Sequence, residues 1–329
     1  MAGFSEIIGH QKIIEHLKGA IEFEKVSHAY IFEGEDGIGK KMLAKAFAMT
    51  LQCMEGGNEP CMRCHSCKQA MTDNNPDIIM VGHDKPNIIG VDDIRTGLNS
   101  DVDIKPYSNR YKIYIIDDAE KMNVAAQNAM LKTIEEPPAY VIIMLLTTNS
   151  DIFLPTILSR CIKLSLKPLS FTMVFDYLVK NLGIKPDVAE FCASFSQGRL
   201  GKAIEIASSQ EYVELRETAL WLLKNVDDME TDKLMDTFKR LATFKAQIHD
   251  FMDFMMMWYK DVLLYKATAN VNALTFKDAL SYIREQAVRH SYEGLENILN
   301  AFTKAKDRLK ANVNFDLVVE LLVMTIKEN

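Results

Sequence analysis

Short apolar runs alternate with helical patterns along the first half of the chain. Each run is apolar at nearly every position, as expected for a strand buried on both faces, and the segments between them repeat their apolar residues every 3 to 4 positions. This alternation predicts an α/β fold with a parallel sheet covered by helices. The predicted strands are Ala29–Glu33, Ile78–Val81, Lys112–Ile116, Val141–Thr147 and Cys161–Leu166. The predicted helices are Ile7–Phe23, Lys40–Leu51, Val91–Leu98 and Ala125–Glu135.

The second half of the chain carries only helical patterns. After Lys167 and Pro168 the strand patterns stop, and three short helices are predicted before Gln210. From there on every segment has the helical period, which predicts a second, all-α domain. The predicted domains are residues 1–167, with a cysteine module at 53–67, then a small helical domain over 168–209 and a helical domain over 210–329. The apolar run Phe254–Trp258 is typical of a core or a subunit interface rather than of a ligand site.

Composition places the chain among ordinary soluble proteins. It has 329 residues, of which 48% are hydrophobic and 25% charged, with a net charge of −7 that gives no global reason to bind nucleic acid. Its first residues lack a basic region followed by an apolar run, and no stretch reaches the roughly 18 apolar residues of a membrane span. We therefore predict a cytoplasmic protein without membrane contact, in which Cys161 and Cys192 are buried thiols.

Four cysteines lie close together between the first two predicted strands. Cys53, Cys61, Cys64 and Cys67 follow the spacing Cys-x7-Cys-x2-Cys-x2-Cys. Zinc prefers a tetrahedron of ligands with Zn–S distances of about 2.3 Å, which two overlapping Cys-x2-Cys turns and a returning arm can supply. The pattern predicts a closed, structural zinc site. Two alternatives are four free thiols and an iron–sulfur cluster, in whose ferredoxin spacing Met71 would take the fourth ligand position.

A glycine-rich loop follows the first predicted strand and precedes a helix, which is the order of a phosphate-binding loop. Gly34, Gly37 and Gly39 would allow backbone N–H groups to face phosphate oxygens, and Lys40 would reach the terminal phosphates. The next residue should be Ser or Thr, whose hydroxyl binds magnesium, but it is Lys41. Because an ammonium group cannot ligate a cation, metal-dependent hydrolysis at this loop is doubtful. A plain glycine turn is the alternative interpretation.

The third predicted strand ends in acidic residues, as the second half of such a site requires. Asp117 is placed to bind the hydration shell of the metal. Asp118 stands where hydrolysing proteins of this class carry the glutamate that activates water, and its side chain is shorter. Thr148 follows the next strand, where a polar residue either senses the terminal phosphate or forms a strand-end turn. Two solvated acids capping a buried strand are the alternative interpretation of the acidic pair.

Longer segments resemble the AAA+ clamp-loader family of bacterial DNA polymerase III, and within it the delta-prime type of subunit. They are His28–Tyr30, the cysteine module, Asn128–Pro138, Leu154–Cys161 and Arg308–Asn314. The triplet Ser159-Arg160-Cys161 is the most specific of them. In that family its arginine enters the ATP site of the neighbouring subunit and stabilises charge on the transferring phosphoryl group, so the resemblance implies this role for Arg160. An arginine paired with a local carboxylate is the alternative.

The departures from the family's motor subunits imply a chain that does not hydrolyse ATP itself. In the family that the chain resembles, motor subunits carry Ser or Thr after the loop lysine and Asp-Glu on the acidic strand. This chain has Lys41 and Asp118 at the two differing positions. Gly201 stands where a motor subunit would present a second-sensor arginine, although Arg199 or Lys202 could substitute. An intact arginine finger beside a defective nucleotide site is the combination expected of a subunit that completes its neighbour's active site.

The resemblance also implies cofactors and partners. It implies an AAA+ domain with an inserted zinc module, a helical lid and a helical collar through which five subunits join. The partners would be gamma/tau-type and delta-type subunits, with a sliding clamp and primer–template DNA in the assembly. Zinc would be structural, and ATP with magnesium would bind at a neighbouring subunit.

Two other functions stay open from the sequence. Within the same family, the alternative is a gamma/tau-like motor subunit that hydrolyses ATP through Lys40, Asp117 and Asp118. A third hypothesis, from a different class, makes the cysteine module a device that binds nucleic acid or a partner directly. Its polar residues would be Arg63, His65 and Lys68.

Overall fold

The computed structural model describes residues 3–82, 85–226, 228–230, 233, 248–311 and 313–329. Asn312 of the family-like segment near the C-terminus lies outside these residues. The chain divides into two compact units, Met1–Tyr177 with Ser196–Ala203, and Leu178–Phe195 with Ile204–Asn329. The segment predicted as a small helical domain, residues 168–209, is thus shared between the two units. The three-domain division of the sequence stays a prediction.

The first unit is built on a five-stranded sheet whose neighbouring strands are all parallel. The strands are β1 (Ala29–Glu33), β2 (Ile78–Met80), β3 (Lys112–Ile116), β4 (Val141–Thr147) and β5 (Ile162–Ser165), in the spatial order β2-β3-β4-β1-β5. The predicted α/β fold is confirmed, and three strands have the predicted bounds. The other two are shorter because they lie at the edges of the sheet, where only one neighbour supplies ladder hydrogen bonds.

Seven helices of the described residues precede or follow these strands up to Lys180. They are α1 (Gln11–Glu22), α2 (Lys40–Leu51), α3 (His65–Met71), α4 (Val91–Ile94), α5 (Val124–Glu135), α6 (Pro155–Leu158) and α7 (Phe171–Lys180). Helix α1 begins later than predicted because Gly9 and His10 have φ angles of 74° and 55°, which a helix cannot contain. A π-helical turn, Arg95–Asn99, continues α4. Helices α3 and α6 are too short for their periodicity to be recognised from the sequence.

Side chains alternate between the two faces of the sheet. Phe32 and Ile115 point into a core formed with α1 and α2, whereas their neighbours Ile31 and Tyr114 point into a core formed with α4 and α5. The three central strands are therefore buried on both faces, which explains why they are almost entirely apolar. The carboxyl ends of β1, β3 and β4 meet at one edge, and the glycine-rich loop, Asp117 and Thr148 follow these ends.

The second unit is helical in its described residues. It contains α8 (Pro186–Phe195), α10 (Gln210–Asn225), α11 (Ile248–Thr268), α12 (Leu280–Arg289), α13 (Tyr292–Lys310) and α14 (Phe315–Glu328), while α9 (Leu200–Ser208) begins in the first unit. Phe254, Met255 and Trp258 are buried in its core, and the indole N–H of Trp258 donates to Gln286 at 2.7 Å. None of the helices described combines the length and the apolar composition that a bilayer crossing requires.

Candidate functional site

The glycine-rich loop connects β1 to α2 and contains two glycines in the left-handed conformation. Gly37 and Gly39 have φ angles of 78° and 110°, which favour glycine because a Cβ atom would be strained there. Gly39 directly precedes the first residue of α2, whose amino-terminal end carries the positive pole of the helix dipole. The side chain of Lys40 is buried and donates to the Gly34 carbonyl at 2.6 Å and to Asp36 at 3.1 Å. The loop lysine is thus held by the loop's own oxygens.

Lys41 forms an ion pair with the first acid of the site. Its Nζ lies 3.0 Å from Oδ2 of Asp117, at the carboxyl end of β3. In a hydrolysing site this carboxylate faces magnesium and its waters. Here an ammonium group occupies that side of Asp117, so the structure brings together the two residues that the sequence had singled out and joins them as an internal pair. Such a pair competes with a divalent cation for the same carboxylate.

The remaining two candidate residues of the nucleotide site bind local partners. Asp118 has a φ angle of 49° and accepts a hydrogen bond from Lys121 at 2.7 Å. Asp is among the few residues that adopt this left-handed conformation readily. Thr148 donates its hydroxyl to Glu120 at 2.8 Å, and its backbone N–H donates to the same carboxylate. Neither contact is directed to the glycine-rich loop.

The amino-terminal turn of α9 packs directly on the loop. The N–H of Gly201 donates to the Gly37 carbonyl at 2.8 Å, and a Cβ atom on Gly201 would meet that oxygen at the same distance. Glycine at this position therefore has a packing reason, which the sequence did not reveal. Arg199, a possible substitute for a second sensor, donates to the Ser196 carbonyl at 2.9 Å and lies 3.6 Å from Glu35. Lys202 contributes its backbone to the contact with Gly37.

A partly buried acid precedes the loop and was missed by the sequence analysis. Glu33, the last residue of β1, accepts hydrogen bonds from Ser150, from Ser165 and from Lys163, whose Nζ is 2.9 Å away. Burial by itself would raise the pKa of Glu33, but the hydrogen bonds from these three side chains outweigh it and lower the pKa to about 2. This cluster ties β1 and β5 to the turn after β4.

Replacing Glu33 with Gln should make the stability of the first unit depend less on pH. A carboxyl whose folded pKa is depressed stabilises the fold above its unfolded pKa, and that contribution disappears as the pH falls from about 4.5 towards 2. We expect Glu33→Gln to lower the free energy of unfolding by about 1–2 kcal/mol at pH 7 and by almost nothing near pH 2. Denaturant melts across this range, with Glu22→Gln as a control on the exposed end of α1, measure the difference. A difference that stays constant with pH would contradict it.

The four cysteines form one compact cage. Their Sγ atoms all lie within 4.8 Å of one another, and those of Cys61 and Cys67 are 4.0 Å apart. A tetrahedral zinc site with Zn–S distances of about 2.3 Å has S–S edges of about 3.8 Å, so the cage fits a single ion after a small contraction. Cys53 completes the set, whereas Met71 packs beside the cluster as an apolar residue. A cage of this size does not enclose a cluster of several irons with their sulfides.

The backbone of the cysteine module supports these positions. The N–H groups of Cys61, Cys64 and Cys67 donate to the sulfur of the preceding cysteine at 3.3–3.4 Å, the pattern expected when a turn wraps around its ligands. Ser66 is buried and accepts from Asn75 at 2.9 Å and from Asn109 at 3.0 Å, which attaches α3 to the segments that precede β2 and β3.

The proposed polar surface of the module is partly neutralised. Arg63 is exposed, but its guanidinium forms a two-pronged pair with Glu55, with N–O distances of 3.0 and 2.6 Å. This pairing satisfies the one guanidinium among the three residues of the third hypothesis. Nothing in this geometry favours the module as a nucleic-acid site.

Arg160 lies at the surface directly after α6. Its Nη1 donates to the Thr156 carbonyl at 3.1 Å and to the Ser159 hydroxyl at 3.2 Å, and its Nη2 lies 3.2 Å from Oε1 of Glu135. The side chain is 39% exposed. The adjacent Cys161, predicted to be a buried thiol, is half-buried and packs against the core formed with α4 and α5; desolvation raises its pKa to about 12, so the thiol stays neutral. The local carboxylate of the alternative interpretation is therefore present, although an exposed pair of this kind is weak.

Comparisons with known proteins agree with the resemblance found in the sequence. The family model for "DNA polymerase III, delta subunit" matches residues 9–170, and the model for its C-terminal region matches residues 212–328. DNA polymerase III subunit delta' of Bacillus subtilis (strain 168) is 30% identical over 96% of this chain and 96% of its own length. The chain belongs to the delta-prime family of DNA polymerase III clamp-loader subunits. The family assignment thus covers both units of the fold.

Other clamp-loader proteins are similar over much of the chain. The tau subunit of Bacillus subtilis is 27% identical over 98% of this chain, which spans 61% of that subunit. The crystal structure of a gamma subunit-related protein from Thermotoga maritima aligns with 96% of this chain and 98% of its own, with 18% identity and a TM-score of 0.48. The chain is therefore similar in sequence to a tau subunit as well as to a delta' subunit.

Proposed function

We propose that this clamp-loader subunit does not cycle ATP and instead presents Arg160 to the ATP site of a neighbouring motor subunit. The observation that carries the proposal is the Lys41–Asp117 ion pair. It places a positive charge beside the carboxylate that would hold magnesium, and this charge opposes binding of the metal there. Without the metal, the charge on a transferring phosphoryl group would not be neutralised.

The other residues of the site support the same proposal. Asp118 is shorter than the glutamate that activates water, and it accepts a hydrogen bond from Lys121. Thr148 donates two hydrogen bonds to Glu120, one from its hydroxyl and one from its backbone N–H, and these bonds would have to break before Thr148 could contact a phosphate. Lys40 bonds Gly34 and Asp36. Gly34, Gly37, Gly39 and Lys40 thus keep the form of a phosphate-binding loop, while its metal and water positions have been lost.

The exposure of Arg160 supports its role in trans. A guanidinium offers a planar fork of donors that matches phosphate oxygens, and it keeps its charge at any physiological pH. The pair with Glu135 is exposed on both sides, with 39% and 43% of the side chains accessible, so it can be exchanged for a phosphate at low cost. An arginine in this state is available to a partner that approaches this surface.

The proposal includes the partners and the metal. The partners are gamma/tau-type and delta-type subunits in a five-membered assembly that loads a sliding clamp onto primed DNA, as the family membership implies. Zinc would be held by Cys53, Cys61, Cys64 and Cys67. It would cross-link the segment between α2 and β2 and leave no open coordination position. The metal has no role in ATP turnover here.

Calorimetric titration of ATP into the isolated chain, with and without magnesium, tests the nucleotide half of the proposal. We expect weak binding or none, with the same result in both conditions, because Lys41 holds Asp117. The matched variant Lys41→Thr supplies the missing hydroxyl and removes the ammonium, so magnesium should increase ATP affinity in this variant but not in the parent. Tight, magnesium-dependent binding by the parent, with ATP turnover by the chain alone, would instead establish a motor-type subunit.

A further inference from the structure

The guanidinium of Arg160 forms an ion pair with Glu135, which lies on a different helix. The Nη2–Oε1 distance is 3.2 Å, whereas the other two polar contacts of the guanidinium, to Thr156 and Ser159, come from the residues just before it. These local contacts use Nη1 alone. The direction of the guanidinium fork is therefore set by two local contacts through Nη1 on one side and by the carboxylate of Glu135, in α5, on the other.

Glu135 occupies a place where the helix itself disfavours an acid. It is the last residue of α5, at the end where unpaired carbonyls give the helix dipole its negative pole. Pro137 and Pro138 prevent the helix from continuing, so the carboxylate is held at this end. Because the helix gains nothing from an acid here, the contact with Arg160 is the interaction that explains it.

The scaffold between the two residues is rigid. The buried side chain of Gln127, in α5, accepts from the Leu154 N–H at 2.9 Å and donates to the Ile152 carbonyl at 3.3 Å, which fixes the start of α6 against α5. Ile134 and Ile157 are fully buried in the same core and pack the two helices together. Glu135 and Arg160 directly follow these anchored segments, so their separation is fixed by the core.

We infer that Glu135 is a positioning residue for Arg160: it holds the guanidinium in the direction from which it can reach a neighbour's phosphate. The inference rests on the proposed role of Arg160 in trans. A flexible arginine has to be ordered when the transition state forms, and a carboxylate that orders it beforehand removes part of that cost. Since the pair is exposed and weak, the arginine can leave Glu135 for a phosphate oxygen.

The test is ATP turnover by a reconstituted assembly that carries variants of this chain. Glu135→Ala should lower kcat of the neighbouring site about tenfold and leave KM for ATP within about twofold, because the arginine acts on the transition state. Glu135→Gln keeps a hydrogen-bond acceptor without the charge and should fall between Glu135→Ala and the parent. Glu136→Ala, which removes the same charge one residue away, should behave as the parent. The melting temperature of all three variants should be unchanged, because both side chains are exposed.

A double variant separates this inference from the proposal on which it rests. If Glu135 acts through Arg160, adding Glu135→Ala to Arg160→Ala should lower turnover no further. Full turnover with Glu135→Ala, while Arg160→Ala is slow, would overturn the positioning role and leave the arginine finger in place. An equal loss from Glu135→Ala in both backgrounds would also overturn it. Full turnover with Arg160→Ala would overturn the finger itself and the inference with it.

Discussion

Replacing Arg160 with alanine should reduce ATP turnover by the reconstituted clamp loader about 10³-fold at the site that this chain completes, while the chain itself stays folded. The guanidinium is proposed to neutralise charge that develops on the transferring phosphoryl group of the neighbour, and alanine cannot do so. Arg160 is a surface residue with one weak ion pair, so its loss should not change the melting temperature measurably. Single-turnover hydrolysis by the assembly, beside thermal melting of the isolated variant, measures both effects.

Two further variants make this result specific. Arg160→Lys keeps the charge but loses the planar fork, so it should recover only a small part of the lost rate. Arg63→Ala is the matched control, since it also removes an exposed arginine that pairs with a carboxylate, here Glu55, and it should leave turnover unchanged. Equal losses from Arg63→Ala and Arg160→Ala would mean that general surface charge, rather than a finger, explains the effect.

Removing one cysteine of the cage should destabilise the first unit strongly. Cys64→Ser would leave three thiolates for the proposed zinc, which needs four ligands, and the segment between α2 and β2 would lose the cross-link that closes it. Because the sheet has its own core, we expect a loss of about 3–5 kcal/mol and a melting temperature lower by about 10 °C, rather than complete unfolding. Differential scanning calorimetry and metal analysis of the purified variant measure this loss together with the zinc content.

Cys192→Ser is the control for this experiment. It also replaces a thiol by a hydroxyl, but at a buried position in α8 of the second unit and away from the cage. It should retain one zinc per chain and should not change the melting of the first unit. A Cys64→Ser variant that melts like the parent, or a parent that contains no metal after purification from zinc-supplemented cells, would contradict the structural role of the site.

Much of the fold was predictable because buried parallel strands leave a strong signal. Each central strand is a continuous apolar run, which can be recognised without knowledge of its neighbours, and β1, β3 and β4 have the predicted bounds. The order of the strands, the short helices α3 and α6, and the π-helical turn after α4 depend on tertiary contacts that leave no periodic pattern. The division of residues 168–209 between the two units also depends on tertiary contacts and could not be predicted from the sequence.

The sequence predicted which residues belong to the candidate site, but not which residues they contact. The spacing of the cysteines indicated the cage, and Lys41 indicated a lost hydroxyl, because both follow from residue type alone. That Lys41 pairs with Asp117 depends on β1 and β3 ending at the same edge of the sheet. Glu135, on another helix, meets Arg160 only through the packing of α5 on α6. An acid at a helix C-terminus was the one sequence signal for this contact.

A chain that serves a neighbour's ATP site without using its own should respond differently to the loss of its loop lysine and to the loss of its finger. Steady-state ATP turnover is measured for assemblies in which this chain alone carries either Lys40→Ala or Arg160→Ala. We expect turnover within about twofold of the parent for Lys40→Ala and, at the completed site, a loss of about 10³-fold for Arg160→Ala. Loss of turnover with Lys40→Ala and full turnover with Arg160→Ala would instead identify a motor subunit.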